Sequence, residues 1–255
     1  MAAGQVALFA LPGLPLVQTG DDLAALVLDG LAAVGLSLVD GDVLVVTSKI
    51  VSKAEGRWLD LRDVVPSAEA EALAAQTGKD ARLVEAILRE SAEVSRYREG
   101  VLIVRHRLGF VSANAGIDRS NVGPNGGDLV LLLPEAPDES ARRLCETLQA
   151  RSGVALGVII SDTHGRPFRA GNVGVAIGVA GMPALVDCRG QVDLFGRELQ
   201  STIVAAADAI ASAAGLLTGE AAEGLPVVLV RGLKLEDPAG SAADLIRDPK
   251  LDLYR

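Results

Sequence analysis

A short apolar run, Leu156-Gly157-Val158-Ile159-Ile160, opens without a spacer into Ser161-Asp162-Thr163-His164-Gly165-Arg166-Pro167-Phe168-Arg169-Ala170-Gly171-Asn172-Val173. Five residues without a polar side chain read as a buried strand, which demands packed structure around it. The strand delivers a carboxylate and a hydroxyl to one point, beside glycines and arginines. Hard divalent cations take oxygen ligands, and phosphate takes cations and close backbone approach. The same residues also suit a surface loop in which Asp162 and Thr163 cap local turns. Taken alone, they leave both readings open.

Further strands are expected over residues 5–11, 42–47, 101–105, 109–113, 129–133 and 227–230. Helices are expected over 21–33, with Thr19 or Asp21 as N-cap, and over 67–76, 80–95, 138–150 and 200–217. A polar helical tail follows Ser241. Strands and helices mix without regular βαβ alternation, so the expected class is α+β. The 255 residues suffice for one large domain or two closely joined lobes.

Aromatic residues make up only 3% of the chain, so the core has to be built from Ala, Val, Leu and Ile. Few aromatics and a formal charge of -9 argue against a nucleic-acid partner. Two cysteines, Cys145 and Cys188, do not make a disulfide framework and suggest a reducing compartment. The first 48 residues carry no Lys or Arg, which excludes a charged signal-peptide start. The uncharged stretch 170–186 is too short and too rich in glycine for a bilayer span. The expected location is cytoplasmic, with no membrane partner.

No GxxxxGK[ST] or GxGxxG motif occurs. Gly171, Gly174, Gly178 and Gly181 read better as close-packing positions in a strand. Asp118, between Gly116 and Asn121, is either a metal ligand with Asp162 or the head of an Asx-turn. Glu220, after Gly219, is either a further ligand or a solvated acid. Lys49 and Lys53 share a face if extended, and serve phosphates or an exposed strand edge. His164 has no Ser or Cys partner at triad spacing. Cys188 beside Arg189 reads as a packing cysteine. Asp193, Arg197 and Glu198 read as a structural ion-pair cluster.

Together, and in this order, the blocks resemble one family. They are Gly13-Leu14-Pro15-Leu16, Gly20-Asp21-Asp22-Leu23, Asp40-Gly41-Asp42-Val43-Leu44-Val45-Val46 and Ile50-Val51-Ser52-Lys53-Ala54-Glu55-Gly56-Arg57. Asn114-Ala115-Gly116-Ile117-Asp118-Arg119-Ser120-Asn121-Val122 and Ser161-Asp162-Thr163-His164-Gly165-Arg166 follow. Asp193-Leu194-Phe195-Gly196-Arg197-Glu198-Leu199 and Val230-Arg231-Gly232-Leu233 complete the set. The chain resembles the coenzyme F420-0:L-glutamate ligase family, also called F420:gamma-glutamyl ligase, over essentially its whole length.

The resemblance implies a GTP-dependent ligase that joins L-glutamate by an amide bond to the deazaflavin precursor F420-0, releasing GDP and phosphate. It implies an α+β fold of mixed, largely antiparallel sheets, with two closely joined lobes and an intertwined homodimer. It also implies two divalent ions, magnesium or manganese, and potassium. By matching motif, Asp118 and Asp162 are expected to hold one divalent ion, and Thr163 and Glu220 a second. Leu14, Pro15, Leu16, Val17, Ser48, Lys49, Lys53 and Asn121 match GTP-binding positions. So does the segment Thr218, Gly219, Glu220, Ala221, Ala222, Glu223, Gly224 and Leu225, in which Glu223 competes with Glu220 as ligand. Asp118, Asp162 and Lys53 are expected to be catalytic, with Arg166, Arg169 or Arg197 adding positive field. Residues 1–255 are expected to form one catalytic unit without the nitroreductase-like domain that some relatives carry. A same-fold ligase for another carboxylate and a non-catalytic GTP- and metal-binding module are the competing readings.

Overall fold

Residues alternate strictly between two apolar layers along the central strands. Val43 and Val45 join one core cluster, Leu44 and Val46 the other, and Val158 and Ile159 divide in the same way. Side chains of a strand point alternately to its two faces, so these strands are covered on both sides. The computed structural model describes residues 4–122 and 127–253. In chain order they form β1 (Ala7–Ala10), α1 (Leu23–Ala33), β2 (Val43–Thr47), α2 (Ser48–Ala54), β3 (Trp58–Asp60), α3 (Ala68–Thr77), α4 (Ala81–Arg89), β4 (Ser91–Arg98) and β5 (Val101–His106). Then come β6 (Val111–Ala113), β7 (Leu129–Leu131), α5 (Pro137–Ser152), β8 (Gly157–Arg166), β9 (Arg169–Ala180), β10 (Val186–Asp187), β11 (Ile203–Val204), α6 (Ala206–Thr218) and β12 (Val227–Arg231).

The main sheet has the order β1-β12-β2-β8-β9. Only β2 and β8 pair in parallel; the other contacts within it are antiparallel. Helices α1 and α5 supply the cluster on one face, and α6 supplies the cluster on the other. A third cluster gathers α3, α4, β5 and β7 around Leu61, Ile87, Leu102 and Val130. The fold is α+β with mixed, mainly antiparallel sheets, as expected. No helix among the described residues is long and apolar enough to cross a membrane.

Several boundaries differ from expectation. The N-cap of α1 is Asp22, whose side chain accepts from the Ala25 N–H. Helix α4 ends at Arg89, and residues 91–95 belong to β4, because Val94 pairs with Val104 in a hairpin. Residues 200–205 precede α6, and Ile203 pairs with Asp187 instead. Among the described residues, the tail after Ser241 makes two short 3-10 turns rather than a helix. The largest difference is at residues 161–173, expected as a loop. Most of them form the long β8–β9 hairpin, in which Asp162 pairs with Val175 and Thr163 with Gly174. The glycines there do serve close packing: a methyl group at Gly174 would overlap the Ala211 backbone, and one at Gly178 the Pro137 carbonyl.

Asp42 enters β2 with its side chain fully buried. It accepts from the Val39 N–H at 2.8 Å and from two nitrogens of Arg231, at the end of β12, at 2.8 and 2.7 Å. Removing one partner of a buried pair leaves an uncompensated charge and typically costs about 3–5 kcal/mol. Arg231→Ala is therefore expected to lower the unfolding free energy by about 3 kcal/mol in urea denaturation. An unchanged midpoint would show that the pair contributes nothing.

Candidate active site

Pairing β2 with β8 in parallel sets their C-terminal ends side by side, with Thr47 opposite Ser161. Crevices beyond such strand ends are where open α/β sheets bind ligands. Here the next residues are Ser48, which opens α2, and Asp162, and Ser48 Oγ donates to Asp162 Oδ1 at 3.4 Å. Lys49 and Lys53 lie on α2 rather than on the extended strand expected for them. They share a face all the same, because four residues make about one helical turn.

That face grips the segment around Asp118. Lys49 Nζ lies 3.5 Å from Asp118 Oδ1 and donates to the Ser120 carbonyl at 3.2 Å. Lys53 Nζ donates to the Asn121 carbonyl at 2.8 Å. Burial lowers the Lys53 pKa, Lys49 adds to the effect, and Asp118 opposes it. Asp118 itself exchanges two backbone hydrogen bonds with Leu131. The preceding turn is left-handed at Asn114, Ala115 and Gly116, with φ of 54°, 53° and 67°. A side chain at Gly116 would overlap Leu133 and bring its Cβ to 3.3 Å from Asp162 Oδ2. Glycine thus lets this turn approach Asp162.

On β8, Asp162 turns toward Ser48, and its neighbour Thr163 donates to Glu220 Oε1 at 3.0 Å. Glu220 follows Gly219 just past the end of α6. Asn121 Nδ2 donates to the Ala221 carbonyl at 2.8 Å, tying this segment to the Asp118 segment. Glu223 folds back: its Oε2 accepts from the Ala221 N–H, and its carboxylate lies against Gly219. Of the two competing acids, Glu220 is the one that meets Thr163.

The structure therefore brings together Ser48, Lys49, Lys53, Asp118, Asn121, Asp162, Thr163 and Glu220. Thr218 ends α6, while Ala221, Ala222, Glu223 and Gly224 are exposed and Leu225 leads back into the sheet. Leu14, Pro15, Leu16 and Val17 belong to a loop held beside α2 by Thr19 Oγ1 donating to the Lys53 carbonyl at 3.2 Å and Gly20 N donating to the Ala54 carbonyl at 2.8 Å. Val17 is core and Leu14 packs against it, whereas Pro15 and Leu16 face solvent. Arg166 and Arg169 face each other at the exposed tip of the hairpin. Asp193 accepts from the Phe195 and Arg197 N–H groups, so it braces a turn instead of joining an ion-pair cluster. Cys145 is buried and Cys188 half-buried.

His164 is the residue that motif reasoning left without a role. Its Nε2 lies 3.1 Å from Asp162 Oδ2. It also walls a cavity of about 530 Å3 between the loop at Phe110, β9, α5 and Ile246. Two carboxylates at that cavity are engaged by backbone: Asp208 accepts from Ala176 N and Asp138 from Val179 N, along β9. A strand alternation of period two would have paired residues 162 and 164, had the segment been read as strand.

Among the described residues, no three His, Cys, Asp or Glu side chains stand close enough to hold a metal by themselves. Magnesium, however, usually takes one or two carboxylates and completes its shell with water and substrate phosphates. The oxygens of Asp118, Asp162, Thr163 and Glu220 fit such partial sets. The charge balance fits as well. Burial pushes the Asp118 carboxyl up to about 6, with Asp162 and Glu220 adding to the effect and Lys49 opposing it.

Residues 13–232 match the F420-0:Gamma-glutamyl ligase family. The chain belongs to that family. A coenzyme F420:L-glutamate ligase of Methanothermobacter thermautotrophicus is 47% identical over 252 residues, covering 98% of this chain and 99% of the relative. The protein of the same description from Methanopyrus kandleri is 49% identical, covering 94% of this chain and 93% of its own. That of Halorubrum lacusprofundi is 47% identical, with 92% and 90% covered. The matched range spans the cluster around Asp118 and Asp162.

In this family member the raised Asp118 carboxyl has a thermodynamic consequence. Its folded-state value lies above the ordinary value of 3.8. Ionising it therefore costs stability, a cost absent below about pH 4, growing up to about pH 6 and full above that. Without divalent cation, Asp118→Asn is expected to be more stable than the parent near pH 7 by up to about 3 kcal/mol. The two should converge near pH 4. Urea midpoints against pH check this, and a less stable variant at pH 7 would contradict it.

Proposed function

We propose that this protein is a GTP-dependent ligase that forms an amide between L-glutamate and the terminal carboxylate of the deazaflavin precursor F420-0, in coenzyme F420 biosynthesis. The observation that carries the reading is the gathering of Asp118, Asp162, Thr163 and Glu220 beside Ser48, Lys49 and Lys53, in a chain nearly half identical to proteins described as coenzyme F420:L-glutamate ligases.

A carboxylate is a poor electrophile toward an amine at neutral pH. Transfer of the γ-phosphoryl group from GTP gives an acyl phosphate, and the glutamate amino group then displaces phosphate. The protein's part in such chemistry is positioning and charge neutralisation. Lys49 and Lys53, now bonded to backbone carbonyls of residues 120 and 121, are free to exchange those acceptors for phosphate oxygens. Asp118 and Asp162 would hold one divalent ion, and Thr163 and Glu220 the second. Bound there, magnesium or manganese would neutralise the phosphates and the acceptor carboxylate. Asn121 would keep the segment from Thr218 to Leu225 closed over the nucleotide through its bond to Ala221. No nucleophile or general base with triad spacing is needed for this route.

The test is incubation with GTP, magnesium or manganese, potassium, F420-0 and glutamate, followed by mass spectrometry. A product gaining glutamyl units together with GDP supports the ligase, and Asp162→Asn is expected to lower turnover by at least about a hundredfold while the fold is retained. GTP binding without GDP or product would favour a non-catalytic module, and activity only with another carboxylate would favour a related ligase.

The reading includes a homodimer of closely joined two-lobed subunits. Support comes from apolar side chains left in solvent on and after the hairpin: Phe168, Leu194 and Phe195 are at least 91% exposed. Leu194 and Phe195 are consecutive, and adjacent exposed apolar side chains of this size suit an association surface. Sedimentation is expected to give twice the chain mass, and Phe195→Asp to shift it toward the monomer. A monomeric parent protein would refute the dimer.

A further inference from the structure

His164 and Asp162 are two residues apart on β8, and such residues share a face. The imidazole is 8% exposed, and its Nε2 stands 3.1 Å from Asp162 Oδ2. The other carboxylate oxygen, Oδ1, takes Ser48 Oγ at 3.4 Å. The imidazole plane is itself held. The Phe110 ring packs on it at 4.9 Å between centroids, tilted by 46°. Phe110 in turn stacks on His106 at 5.0 Å and 13°. His106 is fixed at the far end, because its Nδ1 accepts from the Leu108 N–H at 3.0 Å. Three rings thus run from a backbone anchor to the Asp162 carboxylate.

We infer that His164 is a positioning residue: it donates from Nε2 to Asp162 Oδ2 and thereby presents Oδ1, beside Ser48, as the one oxygen facing the cleft. A carboxylate anchored through one oxygen keeps its other lone pairs in a fixed direction, and outer partners of this kind orient ligand side chains. Two half-buried acids at the neighbouring cavity contrast with it. Asp138 and Asp208 are held by backbone N–H groups of β9. Both hydrogen-bond partners of Asp162 among the described residues are side chains, one from α2 and one from its own strand. The hydrogen bond stands on geometry alone; its consequence for a divalent ion rests on the reading of Asp162 given under Proposed function.

The experiment separates the two. In metal-free protein labelled with 15N, the two imidazoles can be told apart by His164→Gln. His164 should show a protonated Nε2 whose proton exchanges slowly, and Asp162→Asn should abolish that protection. Titration with Mn2+ alone, followed by electron paramagnetic resonance, should show a 10–100-fold weaker affinity for His164→Met. His164→Gln keeps a donor near the same place and should recover most of the loss. Phe110→Leu, which frees the ring without touching Asp162, should weaken Mn2+ binding in the same direction. In turnover, His164→Met should lower kcat and leave KM for the acceptor unchanged. An unprotected or Nδ1-protonated His164 overturns the inference. So does parental Mn2+ affinity in a folded His164→Met, or a His164→Gln no better than His164→Met. If the parent binds no Mn2+, the divalent-ion reading fails, and the imidazole spectrum still decides the hydrogen bond.

Discussion

Five parallel rungs between β2 and β8, from Val43 opposite Gly157 to Thr47 opposite Ser161, hold the rest of the structure in register. A parallel pair cannot be closed by a tight turn, and here the connection takes up α2 through α5 and all of β3 to β7. That excursion carries Asp118 and Asn121 away from the sheet and brings them back over the strand ends. Ser48 and Asp162, 114 positions apart, meet only because of those rungs. A slip of one residue would turn Asp162 to the opposite face and exchange the two core layers. The apolar alternation of β2 and β8 therefore protects the site as well as the core.

At the strand ends the charges are arranged for a guest. Acidic side chains from the β6–β7 connection, from β8 and from the segment after α6 lie near enough for Asp162 and Glu220 both to raise Asp118. Lys49 offsets part of that repulsion, and Lys53 gives up some of its own preference for charge through burial and through Lys49. Such crowding is costly in an isolated fold, and perturbed groups of this kind collect at functional sites. The left-handed turn from Asn114 to Gly116 adds backbone strain next to the same carboxylates. On the function proposed above, that concentration of cost has a purpose: bound polyphosphate and cations would compensate it.

The open edge of the main sheet shows the opposite use of acids. Asp138 and Asp208 accept from N–H groups of β9 that have no neighbouring strand, and Ser212 Oγ donates to the Gly174 carbonyl beside them. These side chains do the work of a missing strand and protect the edge. They also give the two aspartates at the 530 Å3 cavity a structural use. Near-identical residue types thus serve the fold on β9 and the proposed chemistry on β8, one strand apart.

Much of the fold was legible from composition and period. The runs at Val43, Val158 and Val227 read as strands because no polar residue interrupts them, and α1, α3 and α4 carried visible caps or amphipathic faces. The site was legible as a set of residue types, and family likeness supplied its roles. What misled was local. Residues 161–173 carry Asp, Thr, Gly, Pro and Arg, all of which favour loops, yet they lie mostly in strands because pairing across the turn, from Ser161 with Ala176 to Arg166 with Arg169, completes a hairpin. Lys49 and Lys53 share a face in either conformation, so their partnership was predicted correctly while their helix was not.

By itself, then, the amino-acid order determined which segments must be buried, which acids and lysines are available, and which family the chain joins, since all three are properties of neighbouring residues or of motif content. Tertiary structure alone decided that Glu220 and not Glu223 reaches Thr163, that Gly116 must yield space to Asp162, and that His164 reaches the same carboxylate. Those outcomes depend on distances across strands and between distant segments, which no local pattern of side chains encodes.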